Sequence, residues 1–173
     1  MFVLRPTKKL MQKMGVHPDS SPGTSTTVTG DWFANILHTR KGRYVLAISS
    51  VSLLPVVVHG RDLPSLPQRI ADTAAEVLGE LGVPNHAIER ERSAMDQVAF
   101  AGTNDRSTLG VLNDLMFQLT CYLEQGHPTD RLVTLSVRLS ETPIVARDLF
   151  PDHRTREIFG LPGRQRVRCD LLN

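Results

Sequence analysis

Trp32-Phe33-Ala34-Asn35-Ile36-Leu37-His38, then Thr39-Arg40-Lys41-Gly42-Arg43, then Tyr44-Val45-Leu46-Ala47-Ile48-Ser49 is the stretch that decides the fold. Two apolar runs of strand length flank a short basic connection containing glycine, the signature of a β-hairpin. Leu53–Val58 supplies a third run, and Pro55 within it lacks a ladder donor, so this strand belongs at an edge or a bulge. Three strands in succession with no helix between them predict an antiparallel meander. They are incompatible with a doubly wound parallel sheet, which needs a crossover helix after each strand.

Toward the N-terminus, Phe2–Leu4 reads as a short strand and Thr7 as the cap of a small helix running to Met14, with Gly15 as its stop. Residues 16–27, rich in Ser, Thr, Pro and Gly, read as a mobile loop. Toward the C-terminus, Ile70, Ala74, Val77, Leu78 and Leu81 recur at helical spacing within Leu66–Leu81, between Pro67 and Gly82. Asn85 is placed to cap a helix over Ala87–Met95, whose Glu89-Arg90-Glu91-Arg92 run reads as a solvated face. Val98–Ala101 is a short strand. Ser107–Leu123 carries the best helical stripe, Leu109, Leu112, Met116, Leu119 and Leu123, ending at Gly126. In Leu132–Leu139, Leu132, Thr134, Ser136 and Arg138 alternate with Val133, Leu135, Val137 and Leu139, which predicts a half-buried strand. Pro151 opens a last helix through Phe159, before a basic tail over 161–173. The expected class is α+β, an antiparallel or mixed sheet with a three-strand meander and helices mainly on one face.

At 173 residues and 40% hydrophobic, the chain is long enough for one domain, 1–173, with a sizeable core. One Trp and two Tyr supply no evident platform for stacking bases. A net charge of +2 disfavours nucleic acid as a partner, although basic residues gather at Arg5, Lys8, Lys9 and Lys13, at Arg40, Lys41 and Arg43, and at Arg164, Arg166 and Arg168. Cys121 and Cys169 do not make a disulfide framework, and Cys121 reads as a buried free thiol. Met1–Pro6 is too short for a signal peptide, and the longest apolar run, Val51–Val58, falls far short of a membrane span. A cytoplasmic protein without a membrane partner is expected.

Chemistry concentrates in Thr103-Asn104-Asp105-Arg106-Ser107-Thr108-Leu109-Gly110-Val111-Leu112-Asn113-Asp114, a polar turn running into a helix start. Free N–H groups and the dipole make such a start attractive to anions, and Arg106 adds a planar fork for phosphate or carboxylate. The plainer reading makes Ser107 an N-cap, lets Asp105 complement the dipole, and pairs Asn113 and Asp114 with a neighbouring loop. Asn and Asp are poor residues for a helix interior, so some specific partner is expected to hold Asn113 and Asp114 there. Asp31, Trp32 and Asn35 form a second group. Trp32 reads as a core anchor, and Asn35, on the opposite face of the strand, would meet Asn113 or Arg106 in a buried polar network. If nucleic acid is bound, Arg40, Lys41 and Arg43 would contact its phosphates. The six histidines, His17, His38, His59, His86, His127 and His153, have no metal-ligand spacing, and neither a nucleophile elbow nor a phosphate loop occurs, so no metal and no cofactor is expected.

Leu4-Arg5-Pro6-Thr7-Lys8-Lys9-Leu10, Gly30-Asp31-Trp32-Phe33-Ala34-Asn35, Leu53-Leu54-Pro55-Val56-Val57 and Arg106-Ser107-Thr108-Leu109-Gly110 with Asn113-Asp114 occur in that order. Together they resemble a bacterial family of small proteins classed as a domain of unknown function, over Met1 to about Leu139. The chain departs at Asp105, where the family pattern has Asn, and the added negative charge weakens a phosphate reading. The resemblance implies a bacterial source and a shared fold, and supplies no activity. The residues support a noncatalytic binding or interaction protein, of a mobile-element or regulatory kind, for an anionic ligand or a protein partner. The alternative is an enzyme acting on a phosphate-bearing small molecule or nucleic acid, with Arg106 on the anion and Asp31 or Asp114 as base.

Overall fold

The computed structural model describes residues 1–125 and 131–163. The expectations placed on Gly126, His127, Cys169 and the basic tail from Arg164 onward lie outside the described residues. In chain order the elements are β1 (Phe2–Pro6), α1 (Lys8–Met14), β2 (Trp32–Thr39), β3 (Gly42–Ser49), β4 (Pro55–His59), α2 (Leu66–Glu80), α3 (Asn85–Ala94), β5 (Val98–Phe100), α4 (Arg106–Glu124), α5 (Leu132–Ser140) and α6 (Pro151–Ile158). The sheet order is β4-β3-β2-β1-β5. β2, β3 and β4 form the antiparallel meander, and β1 runs parallel to both β2 and β5, so the class is α+β on a mixed sheet.

Period-two patterning in the meander sends alternate residues to opposite faces, and both faces are apolar. Trp32, Ala34, Ile36, Val45, Ala47, Val56 and Val58 meet α2 on one face, with Leu10 of α1. Phe33, Leu46, Ile48 and Val57 meet Val111, Leu112, Leu115, Leu119 and Leu123 of α4 on the other. Helices α1, α2 and α3 lie on the first face and α4 covers the second. The reason both faces are covered lies in the strands themselves, whose runs are apolar almost throughout, as sheets buried on both sides require.

Leu132–Leu139 requires a correction. It is not a strand but the helix α5. Its two apolar sets enter two different cores, Val133 and Val137 joining one face of the sheet and Leu135 and Leu139 the other. A short helix buried on two sides imitates strand alternation in sequence. α5 also closes an edge. β4 is an edge strand, as Pro55 predicts, and Ser136 Oγ accepts the outward N–H of Val57 at 2.9 Å while donating to Leu132 O at 2.8 Å. The opposite edge is closed by Asp19, whose N–H donates to Phe100 O and whose carboxylate accepts Phe100 N–H, both at 2.8 Å. These contacts satisfy backbone groups that would otherwise template further strands.

Local signals explain most boundaries. Thr7 caps α1 by accepting Leu10 N–H, and Gly15 ends it at φ 68°. Asn85 is the first residue of α3 and not its cap, which is Pro84. Leu53, in the turn between β3 and β4, adopts φ 58°, a conformation that costs a side-chain-bearing residue about a kcal/mol. Its side chain is buried in the α4 core, which offsets that strain.

Candidate functional site

The helix start at α4 is already filled. Asp105, not Ser107, is the N-cap, and the helix begins one residue earlier than expected, at Arg106. The Asp105 carboxylate accepts the N–H groups of Ser107 at 2.9 Å and Thr108 at 3.3 Å, and the Thr108 hydroxyl at 2.5 Å. These bonds, that from the Thr108 hydroxyl foremost, hold its pKa below the usual carboxylate range, with the nearby Arg147 charge adding to the effect. Arg147 donates from Nε to Ser107 Oγ at 3.1 Å, which packs the turn Val145–Arg147 against the start of α4. Asp105 thus occupies the position an external anion would take.

Beyond the cap, α4 divides into two faces. Thr108, Val111, Leu112, Leu115, Leu119 and Leu123 are buried. Arg106, Gly110, Asn113, Asp114 and Phe117 are exposed, and their spacing of i, i+4, i+7, i+8 and i+11 aligns them in one outward stripe. Among the described residues, the side chains of Arg106, Asn113 and Asp114 make no hydrogen bond or ion pair. The buried network expected to link Asn113 or Arg106 to Asn35 is therefore not formed. A Cβ at Gly110 would meet nothing within 4 Å, and the Phe117 ring is 72% exposed. Nothing inside the fold calls for glycine, asparagine or aspartate at these positions.

The second group is built differently. Trp32 is fully buried, as expected of an anchor, and its Nε1–H donates to Thr29 Oγ1 at 3.1 Å. Asn35 pairs with Thr7, whose hydroxyl donates to Asn35 Oδ1 at 2.8 Å. Asp31 accepts from Arg5 Nε at 2.7 Å, and Arg5 Nη1 donates to Gly102 O at 2.6 Å. This cluster lies where β1 leaves toward α1 on one face of the sheet and β5 leaves toward α4 on the other. In α/β folds such a divergence opens a ligand crevice. Here the Arg5 guanidinium fills it, with its side chain only 13% exposed. Asp31, Arg106 and Asp114, the three groups an enzyme was expected to combine, make no contact with one another by hydrogen bond or ion pair.

Sequence reasoning missed Glu91. Read there as part of a solvated face, it is 3% exposed. Its carboxylate accepts Val28 N–H at 2.7 Å, Thr29 N–H at 2.9 Å and the Thr29 hydroxyl at 2.5 Å, fixing the loop that leads into Trp32. The one available signal was a carboxylate every second residue in Glu89-Arg90-Glu91, which puts Glu91 on the inner side of α3. Cys121 is half-buried and unpaired. Arg40, Lys41 and Arg43 stand exposed at the β2–β3 tip. A cleft of about 400 Å³ between β4, α2 and the start of α5 is lined by His59, Arg69, Asp72 and Glu76. Arg69 is committed there to the carbonyls of His59, Arg61 and Asp62. No group of His, Cys, Asp and Glu among the described residues could hold a metal ion. No helix among them is long and apolar enough to cross a membrane.

Fold and site define a small α+β domain on a five-stranded mixed sheet, with one helix presenting an unpartnered polar and aromatic stripe. Residues 3–153 match a domain of unknown function, DUF6933, and the chain belongs to that family. No curated protein and no solved structure matches the chain. Arg106, Gly110, Asn113 and Asp114, which carried part of the sequence resemblance, all fall on the outward stripe of α4.

Proposed function

We propose that this is a noncatalytic interaction protein of the bacterial cytoplasm, regulatory or carried by a mobile element, which holds a protein partner on the outward face of α4. The observation that carries this reading is the stripe Arg106, Gly110, Asn113, Asp114 and Phe117. Each member is locally unfavourable where it stands. Gly, Asn and Asp weaken a helix interior, an arginine in the first turn opposes the dipole, and an exposed phenyl ring leaves apolar surface in water. A partner would reverse each term. Its backbone would approach at Gly110, its polar groups would bond Asn113 and Asp114, and an apolar pocket would take Phe117. Aromatic side chains of this kind dominate interface energetics. The free thiol of Cys121 agrees with a reducing compartment.

The test is a photoreactive phenylalanine analogue at position 117, expressed in the native cells. The expected result is a discrete protein adduct that disappears when Gly110, Asn113 and Asp114 are all changed to Ala. An equivalent probe at Glu89, exposed on α3, should give no such band. Equal labelling from both positions would refute the reading.

A further inference from the structure

Net charge conceals a strong segregation of charge in this chain. Residues 1–18 and 32–61 contain eight of its 20 Lys and Arg and none of its 18 Asp and Glu, so the remainder is net acidic. The fold brings these two acid-free segments together, because α1 packs on β2 next to the β2–β3 hairpin. Lys9 and Lys13 lie one turn apart on α1 and are both exposed. His38 and Arg43 sit opposite each other across the β2–β3 ladder. Arg40 and Lys41 form the tip beyond them. The His38 pKa is lowered, first by desolvation and then by the positive charges of Lys9, Lys13 and Arg43.

These cations lack internal partners. Arg5, Arg92, Arg131, Arg147 and Arg154 each form an ion pair with a carboxylate. Lys9, Lys13, Arg40, Lys41 and Arg43 form none among the described residues. The carboxylate that shares a cleft with Arg40 and Lys41 is Glu124, at the end of α4, and it is not ion-paired to either. The like charges of Lys9 and Lys13 at i, i+4 destabilise α1 by a few tenths of a kcal/mol. Their retention here calls for an external anion that spans them.

We propose that the face made by α1 and the β2–β3 hairpin binds the phosphate backbone of duplex nucleic acid through Lys9, Lys13, Arg40, Lys41 and Arg43. A repeating polyanion matches five cations spread over two elements, whereas a single small anion does not. The large exposed apolar residues among the described residues, Val28, Val51, Val98, Phe117 and Val145, all lie outside this face, so the face as described lacks the apolar wedge of a membrane-surface helix. It also lacks an exposed aromatic for stacking single strands, since Trp32 and Tyr44 are buried. Net charge alone argued against this partner, because the acidic remainder of the chain cancels the patch in the sum but not at the surface.

The experiment is fluorescence anisotropy with the full chain and a labelled duplex of about two helical turns, titrated between roughly 50 and 200 mM salt. Five phosphate contacts give a log–log slope of about −4.5, which is a loss of about 500-fold in affinity over that range. Lys13→Ala should reduce the slope by about 0.9, and the triple variant Lys9→Glu, Lys13→Glu, Arg43→Glu should abolish binding. Arg90→Glu, Arg131→Glu, Arg154→Glu makes the same change in net charge elsewhere and should leave binding within a few fold. The Ala changes on the α4 stripe should leave duplex binding intact, which separates this surface from the protein-docking reading. Equal losses from the two charge-reversal triples would overturn the proposal. So would absence of binding at the lowest salt, or binding to phosphatidylserine vesicles but not to duplex.

Discussion

Replacing Gly110 with Ala should stabilise this protein, and the size of the gain follows from the structure. Gly110 is an interior residue of α4, its backbone is not among the positive-φ positions, and an added Cβ would meet nothing within 4 Å. The change therefore adds no clash and removes only the backbone freedom that glycine gives the unfolded chain. Helix propensity sets this at about 0.8–1 kcal/mol. Asn113→Ala and Asp114→Ala should each add about 0.5 kcal/mol, because both side chains are exposed and neither makes a hydrogen bond among the described residues. The triple variant should then gain about 2 kcal/mol, or roughly 4–8 °C in Tm for a chain of this length. Urea denaturation followed by circular dichroism measures the free energy, and thermal melts give the shift. A loss of stability in Gly110→Ala, or in the triple, would show that these residues serve the fold, and the argument for an external partner would fail with it. A protein made more stable and less able to bind is the expected signature of residues kept for function at the expense of the helix.

Glu91→Ala should cost about 3 kcal/mol in chemical denaturation, because it strands the N–H groups of Val28 and Thr29 that Glu91 accepts, one of them buried. Glu89→Ala, two residues away and exposed, should stay within about 0.5 kcal/mol, and similar values for both would refute the assigned role of Glu91. Asp105→Ala should cost about 1 kcal/mol at neutral pH through the lost cap. The folded pKa of Asp105 is depressed, so its charge stabilises the native state above the unfolded value of about 3.9, and that part is lost as pH falls through the folded pKa. The gap between wild type and Asp105→Ala should therefore narrow in acid titrations below about pH 4, and a gap independent of pH would contradict the carboxylate cap.

The meander was legible because strand signals there are redundant. Alternation, a glycine-bearing turn and an edge proline all agree, although the connection is tighter than the five residues expected, with Thr39 paired to Gly42 and His38 to Arg43. Helices α2 and α4 were legible from their apolar stripes, although α4 starts at Arg106 with Asp105 as its cap and not at Ser107. α5 was not. A helix nine residues long that fills a sheet edge needs apolar residues on two sides, and Val133, Leu135, Val137 and Leu139 satisfy that need while also fitting period two. Only the third dimension separates the readings, since what decides is whether Ser136 reaches the free N–H of Val57.

The candidate sites divide along a similar line. The oddity of Asn113 and Asp114 could be seen in one dimension, because helix propensity is local, but the direction in which their partner lies could not. An inward partner and an outward one leave the same mark on the sequence. Phe117 was hidden for the complementary reason, as one aromatic among the apolar residues of an amphipathic helix, and only its angle about the axis distinguishes it from Leu115 and Leu119. The basic face was divided between two segments separated by a loop, and each alone resembles ordinary solvated charge. What turns Lys9 and Lys13 into neighbours of Arg43 is the packing of α1 on β2, a tertiary contact. In each case the residue type was informative and its partner was not, because a chain records which groups are present more directly than which groups they are left to meet.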